Sequence, residues 1–460
     1  MIKKENPKKR LFEILLKGKR DIFFINKKII NNKQLVLDLE KIIFYLNKFK
    51  KIKLIELNLS NKYFFTLILL GALFTNKTVY PSTNTTRIFK DSMMVDNEEN
   101  IKKIINTKVI KNIKFNFKNS KFLFLETTGT TSKKKMIIFN SFDYLNACIH
   151  SKNIFKYSIK NKILHCLPIY YNAGLNNILF APLFGRSKIV FSENFTIFNL
   201  SKIFKTANLN KCNSIQLMPS MFMNLIFFLK NKKFVKSFIS IISTGSFLYP
   251  EIKNKFFNKF KKTIYSCYGI TELGGAICVE SKSSKNLAIG SVGIISSKIR
   301  IELNKKMEIN LNTPFQMSGY LIGNKFNKLG KNFLFNTGDT GYMLKNNLFL
   351  TGRTKEIVKR GGENISLKKI ENVAIKYNKI KNAICISKKN IYSDEDIIML
   401  IETGKNFTNI SKKKFNLHLE NNLDKNFMPH KIIFKNKFSY FSNGKLNRQQ
   451  LLNSMVDSQI

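Results

Sequence analysis

Short apolar runs alternate with longer helical patterns through roughly the first quarter of this chain, and that rhythm constrains its fold more than any other feature. Ile52–Leu59 reads as a strand, Lys62–Leu73 as a helix and Lys77–Pro81 as the next strand. A strand–helix–strand order of this kind predicts βαβ units and a mostly parallel sheet, hence an α/β fold class. Lys121–Leu125 is a compact apolar strand that feeds straight into a run of small hydroxylated residues. Asn161–Pro168, Lys188–Ser192, Cys212–Met218 and Phe238–Ser243 are further strand candidates with helical patterns between several of them. Beyond about residue 355, strand-like runs at Ala383–Ser387 and Ile397–Ile401 surround the helical stretch Leu367–Tyr377.

The 460 residues have room for two or three domains at the usual size of about 150 residues each. The formal charge is +50, from 79 Lys and Arg against 29 Asp and Glu. Charge alone would suggest nucleic acid or an anionic membrane. The lysines are spread along the whole chain, however, and 42 Phe with no Trp points to a general compositional bias. A nucleic-acid surface concentrates its charge on one segment or face, so no specific nucleic-acid partner is expected.

Cys148, Cys166, Cys212, Cys267, Cys278 and Cys385 contain no C-x-x-C pair, and His150, His165, His418 and His430 have no zinc spacing. Reduced thiols and a cytoplasmic location are the expectation. The longest apolar stretch, Tyr63–Phe74, falls short of a membrane span and reads as a buried helix. The basic start is interrupted at Glu13, so no signal peptide is expected.

Four segments carry chemistry. Thr127-Thr128-Gly129-Thr130-Thr131-Ser132-Lys133-Lys134-Lys135 places hydroxyls and backbone N–H donors around a glycine. Such a loop can wrap a polyphosphate while its lysines supply counter-charge, although it is no Walker A loop. Taken alone, it reads better as a polar turn after a strand. Cys267-Tyr268-Gly269-Ile270-Thr271-Glu272 sets an aromatic ring beside a glycine, then a hydroxyl and a carboxylate. Next come Asn336-Thr337-Gly338-Asp339, Gly352-Arg353-Thr354-Lys355-Glu356 and Gly361-Gly362-Glu363-Asn364-Ile365. Finally, Gly444-Lys445-Leu446-Asn447-Arg448 lies near the C-terminus.

In this order the segments resemble the motifs of adenylate-forming carboxylic acid ligases, the superfamily of acyl-CoA synthetases. The first resembles the family's T-S-G-T-T-G-x-P-K-G loop, with Thr127, Gly129, Thr130, Thr131 and Lys135 matching and Thr128 a mild change. Ser132, Lys134 and Met136 depart from it. The second is similar to Y-G-x-T-E throughout. The resemblance implies that Tyr268, beside Gly269, stacks on adenine, Thr271 binds phosphate and Glu272 holds Mg²⁺. Ser243-Thr244-Gly245-Ser246 resembles the adenine-side strand and turn. Asp339 would bind the ribose hydroxyls with Arg353 beside it, and Lys355 would be the hinge. Gly361 and Gly362 would let a pantetheine arm approach the backbone. Leu367 and Ser439 stand where the family usually has proline. Lys445 would contact the carboxylate and the α-phosphate during adenylation.

Leu167–Gly174 resembles the family's P-x-x-H-x-x-G segment, with Tyr171 in place of the histidine. Tyr171, Asn172 and Gly174 are therefore the candidates for acid binding, with plain core packing of the aromatics in this segment the equal alternative. The aspartate that amino-acid-activating relatives place nearby is missing, which favours an uncharged acyl or aryl acid.

The resemblance implies a large N-terminal α/β domain with mixed sheets over residues 1–354, binding ATP and the acid. A small mobile C-terminal α+β domain would span residues 355–460. It implies ATP, Mg²⁺ and CoA as cofactors and a small carboxylic acid as substrate. Three readings follow: an acid–CoA ligase, a ligase loading the phosphopantetheine of an acyl carrier protein, or a catalytically impaired relative acting as a basic binding protein.

Overall fold

The helix Lys62–Phe74 sets the layering. Asn61 caps it, its side-chain oxygen accepting from the N–H groups of Tyr63 and Phe64. Its residues are apolar on every side and all are buried. A helix of that kind needs packing partners all round. One of them is the helix Asn32–Lys48, which approaches so closely that a Cβ at Gly71 would lie 2.6 Å from Ile42 Cγ2.

The computed structural model describes residues 5–17, 20–25, 28–84, 86–108, 113–126, 135–230, 236–280, 290–323, 325–360, 363–390, 394–404, 407–441, 444–447 and 450–451. Among these, the strands form three large sheets and two small ones. One large sheet runs in the order Gly275–Val279, Tyr265–Ile270, Ser240–Ser243, Ser214–Leu217, Lys162–His165, Lys188–Phe191, Asp21–Ile25 and Lys28–Asn31. Its interior is parallel and its two edge strands are antiparallel. A second joins Ser92–Val95, Leu54–Leu57, Thr78–Pro81 and Lys121–Glu126 in parallel. Lys135–Asn140, Gly319–Ile322 and Lys325–Lys328 then extend it antiparallel.

The third large sheet is antiparallel and lies wholly within residues 291–353. The alternation of apolar runs does not announce it. Strands such as Arg300–Leu303 alternate between exposed and half-buried positions and present little apolar signal. After Glu356, the hairpin Ile357–Arg360/Glu363–Ser366 precedes the helix Leu367–Lys376. Asn382–Asn390, Asp394–Glu402 and Lys431–Lys435 form the last sheet, with the helix Asn409–Glu420 beside it. The α/β class with mixed sheets matches the expectation, and no helix among the described residues is long and apolar enough to cross a membrane.

A buried amine links the helix Lys62–Phe74 to the first of the large sheets. Lys62 Nζ donates to the carbonyl of His165, 3.0 Å away at the end of the strand Lys162–His165. Burial pushes this lysine down to about 7, against a smaller opposing effect of Cys166. In unfolded chain its pKa returns to the ordinary value of about 10.4. Between those values the unfolded state binds the extra proton, so stability gains with rising pH. Wild type should therefore gain stability relative to Lys62→Met from pH 7 toward about pH 10, by up to about 1.4 kcal/mol per pH unit. Urea unfolding of both proteins across that interval checks this, and a constant difference would show that the folded amine is charged.

Candidate active site

The site is built where parallel strands end, the usual place for a ligand in an α/β sheet. Ser240–Ser243 runs into Thr244, Gly245 and Ser246. Gly245 has φ +90°, a left-handed conformation that suits glycine, and a Cβ there would lie 2.3 Å from Met218 Sδ. The neighbouring strand Tyr265–Ile270 ends in the short turn Thr271–Leu273. Gly269 lets that strand close on its antiparallel partner, since a Cβ would meet the Gly275 carbonyl at 2.5 Å.

Tyr268 is buried and its hydroxyl donates to Asp339 Oδ2 at 2.8 Å. Burial, then the adjacent carboxylate, holds this phenol well above its ordinary pKa, so it remains a donor. Asp339 and Arg353 face each other across adjacent antiparallel strands. Arg353 Nε donates to Asp339 Oδ1 at 2.8 Å. Upstream, the Thr337 hydroxyl accepts the Asp339 N–H and the Asn336 side chain accepts the Gly338 N–H, which shapes the turn at Gly338, φ +69°. The Asp339 side chain is nearly buried, whereas 63% of the Arg353 side chain is exposed.

Glu272 is half-buried, with its carbonyl accepting from Met317 N and its carboxylate from the Tyr320 hydroxyl, at 3.4 Å. Burial raises its pKa above the usual carboxylate range, while Tyr320, Lys445 and Arg353 pull in the opposite direction. Lys135, first residue of its strand, lies with Nζ 5.9 Å from the centre of the Tyr320 ring.

Lys445 arrives from the far end of the chain. Ser439–Phe441 bonds back to Lys445 and Asn447, and Gly444 has φ +82°. The Ser220 hydroxyl donates to the Gly444 carbonyl at 2.5 Å and anchors this turn against the helix Pro219–Phe228. Lys445 Cε stands 3.6 Å from the position of a Cβ on Gly245. Burial lowers its pKa, the Arg353 guanidinium lowers it further and Glu272 partly restores it. Two carboxylates, Glu272 and Asp339, and two cations, Arg353 and Lys445, thus lie within electrostatic reach of one another, with Lys445 beside Gly245.

The segment Tyr171–Gly174 lies near the end of the Thr271–Gly274 turn, where a Cβ on Gly275 would stand 3.1 Å from Asn172 Nδ2. Asn172 is buried and accepts from the Tyr144 hydroxyl at 3.1 Å, while a Cβ on Gly174 would lie 2.3 Å from the Pro168 carbonyl. Asn172 and Gly174 thus hold the backbone together here, and half-buried Tyr171, its ring 4.8 Å from that of Tyr170, is the more accessible of the three. The following π-helical segment Ala173–Phe180 sends Asn176 Nδ2 to the Gly274 carbonyl at 2.8 Å, which ties it to the Thr271–Gly274 turn.

The structure brings together Gly245, Tyr268, Glu272, Asp339, Arg353 and Lys445. Thr127, Thr128, Gly129, Thr130, Thr131, Gly361 and Gly362 lie outside the described residues. The backbone of Lys355 forms the short turn Thr354–Glu356. Tyr320, Met218 and Ser220 are site neighbours that the motif reading missed. None has a local signature, since each reaches the site only through tertiary packing.

Residues 91–321, half of the chain, match the family described as AMP-binding enzyme. The chain is 23% identical over 396 residues to the oxalate–CoA ligase of Saccharomyces cerevisiae, covering 82% of this chain and 70% of that protein. It is 24% identical over 333 residues to the 2-succinylbenzoate–CoA ligase of Lactococcus lactis, covering 71% of this chain and 70% of that protein. Its fold is similar to ATP-bound MatB from Rhodopseudomonas palustris, with a TM-score of 0.84, 16% identity and 98% of each chain covered. It is also similar to o-succinylbenzoate CoA synthetase from Bacillus subtilis in complex with its acyl-adenylate intermediate, with a TM-score of 0.79, 16% identity, and 97% and 98% of the two chains covered. With this fold, this run of matched residues and this convergence of Tyr268, Glu272, Asp339 and Lys445, the chain belongs to the AMP-binding enzyme family of the adenylate-forming superfamily.

Proposed function

We propose that this chain is an AMP-forming acid–CoA ligase acting on an uncharged acyl or aryl carboxylic acid. The observation that carries the reading is the delivery of Lys445 to Gly245, within the electrostatic reach of Glu272 and Arg353. A cation there faces the charge that builds when a carboxylate attacks the α-phosphorus of ATP. The CoA ligases among the relatives and the ATP- and adenylate-bound structural neighbours support the same reaction.

In the first half-reaction the acid's carboxylate oxygen bonds to the α-phosphorus and pyrophosphate leaves, giving an acyl-adenylate. The chain needs no nucleophile of its own, since positioning and charge neutralisation suffice. Tyr268 and Gly245–Ser246 would frame the adenine. Asp339, oriented by Tyr268 and Arg353, has acceptor oxygens for the ribose hydroxyls. Thr271, Lys135 and the Thr127–Thr131 loop would take the phosphates. Glu272, a hard oxygen donor half-buried beside Lys445 and Arg353, suits Mg²⁺. When bound, that ion would neutralise phosphate charge.

In the second half-reaction a thiol attacks the acyl carbon and AMP leaves. For this step residues 355–460 would rotate as a lid about Lys355, withdrawing Lys445 and presenting Gly361 and Gly362 to the pantetheine arm. Tyr171 would border the acid.

Pyrophosphate release with a panel of acids graded by chain length and ring type tests the proposal, and no ATP-dependent release with any acid would overturn it. Comparing CoA with a holo carrier protein as acceptor identifies the thiol. Lys445→Ala should slow adenylation by about 10²-fold or more yet leave thioester formation from preformed acyl-adenylate nearly intact. Equal losses in both would remove its assigned role. Asp339→Ala should raise the KM for ATP by about tenfold, the loss of one charge-assisted hydrogen bond. Steady-state kinetics at saturating acid measures it, and an unchanged KM would place the ribose elsewhere.

A further inference from the structure

We propose that Tyr249 is a positioning residue for adenylation, a latch that holds residues 355–460 in the orientation that delivers Lys445. The proposal rests on the reading of a lid with two orientations. Tyr249 precedes the helix Pro250–Phe260, is 6% exposed, and donates its hydroxyl to Glu371 Oε2. Glu371 lies on the helix Leu367–Lys376 and is itself 1% exposed. The bond therefore crosses from the body that carries Gly245 to the segment that carries Lys445.

The other partners of Glu371 among the described residues belong to its own side. Its Oε1 accepts from Cys385 N at 2.8 Å and its Oε2 from Lys368 Nζ at 2.7 Å. Lys368 also lies 3.2 Å from the Tyr249 hydroxyl and 3.6 Å from Glu356 Oε2, in the turn that contains Lys355. A buried carboxylate left without donors would be very costly, but Glu371 keeps two donors when Tyr249 departs. What Tyr249 adds is thus specific to one orientation, as a reversible catch must be. A second contact works in parallel: Lys255, on the same helix as Tyr249's cap, donates its Nζ to the Ile375 carbonyl at 2.6 Å in the last turn of the facing helix.

The latch is tested on the full chain without knowledge of the acid. Spin labels at Leu209→Cys and Ile410→Cys, both exposed positions on opposite sides of the contact, report the distance between the two parts. The six native thiols are buried and stay unlabelled. Wild type should show one dominant distance, with a second appearing on addition of AMP and CoA. Tyr249→Phe should lower the ratio of first to second by about tenfold or more, since it removes the charge-assisted bonds to both Glu371 and Lys368, with the thermal unfolding midpoint nearly unchanged. Lys255→Met should shift the ratio in the same direction. If wild type populates two distances and Tyr249→Phe leaves their ratio unaltered, the latch is wrong while the lid stands. If wild type keeps a single distance with AMP and CoA present, the two-orientation reading falls and the latch with it.

Discussion

A helix that is apolar on every side cannot lie on a surface, and the burial of Lys62–Phe74 organises much of what surrounds it. Satisfying it requires cover in all directions, which the helix Asn32–Lys48 and residues from both parallel-rich sheets supply. Phe23 and Phe191 of one sheet and Ile55 and Val79 of the other belong to the same buried cluster. Burial on this scale contributes roughly 25 cal/mol per Å² of apolar surface, far more in total than a single polar tie. Lys62 adds direction by reaching the end of one particular strand.

Upon that frame, the site is assembled from charged groups held in fixed pairs. Asp339 is consumed on two sides by Tyr268 and Arg353, so its orientation is set before any ligand arrives. Glu272 and Lys445 are both held away from their ordinary ionisation behaviour by burial and partly restored by each other. Such pre-set dipoles and charges do not have to reorganise during reaction, which is where enzymes of this kind obtain most of their effect.

Much of this was legible beforehand, for a physical reason. Asp339 and Arg353 stand on neighbouring strands of one antiparallel pair, so their spacing survives as a short local pattern. Tyr268 and Glu272 share a single strand and turn. Glu272 and Tyr320, Gly245 and Met218, and Tyr249 and Glu371 meet only through the packing of distant elements. No window of sequence contains both partners, and one tyrosine among fifteen has no distinguishing mark. The antiparallel sheet of residues 291–353 leaves little trace in the sequence, because strands such as Arg300–Leu303 alternate between exposed and half-buried positions and carry no apolar run.

The position of Lys445 has a bearing on synthesis. The frame, the Asp339 turn and the Tyr268 strand are all specified before the ribosome reaches the residues that pair around Gly444. A chain broken off between these points would keep the groups proposed to hold nucleotide and lack the cation proposed to drive the attack. On those proposed roles, the catalytic cation is the last part of the site to be made, and a body lacking it would hold nucleotide but turn it over far more slowly.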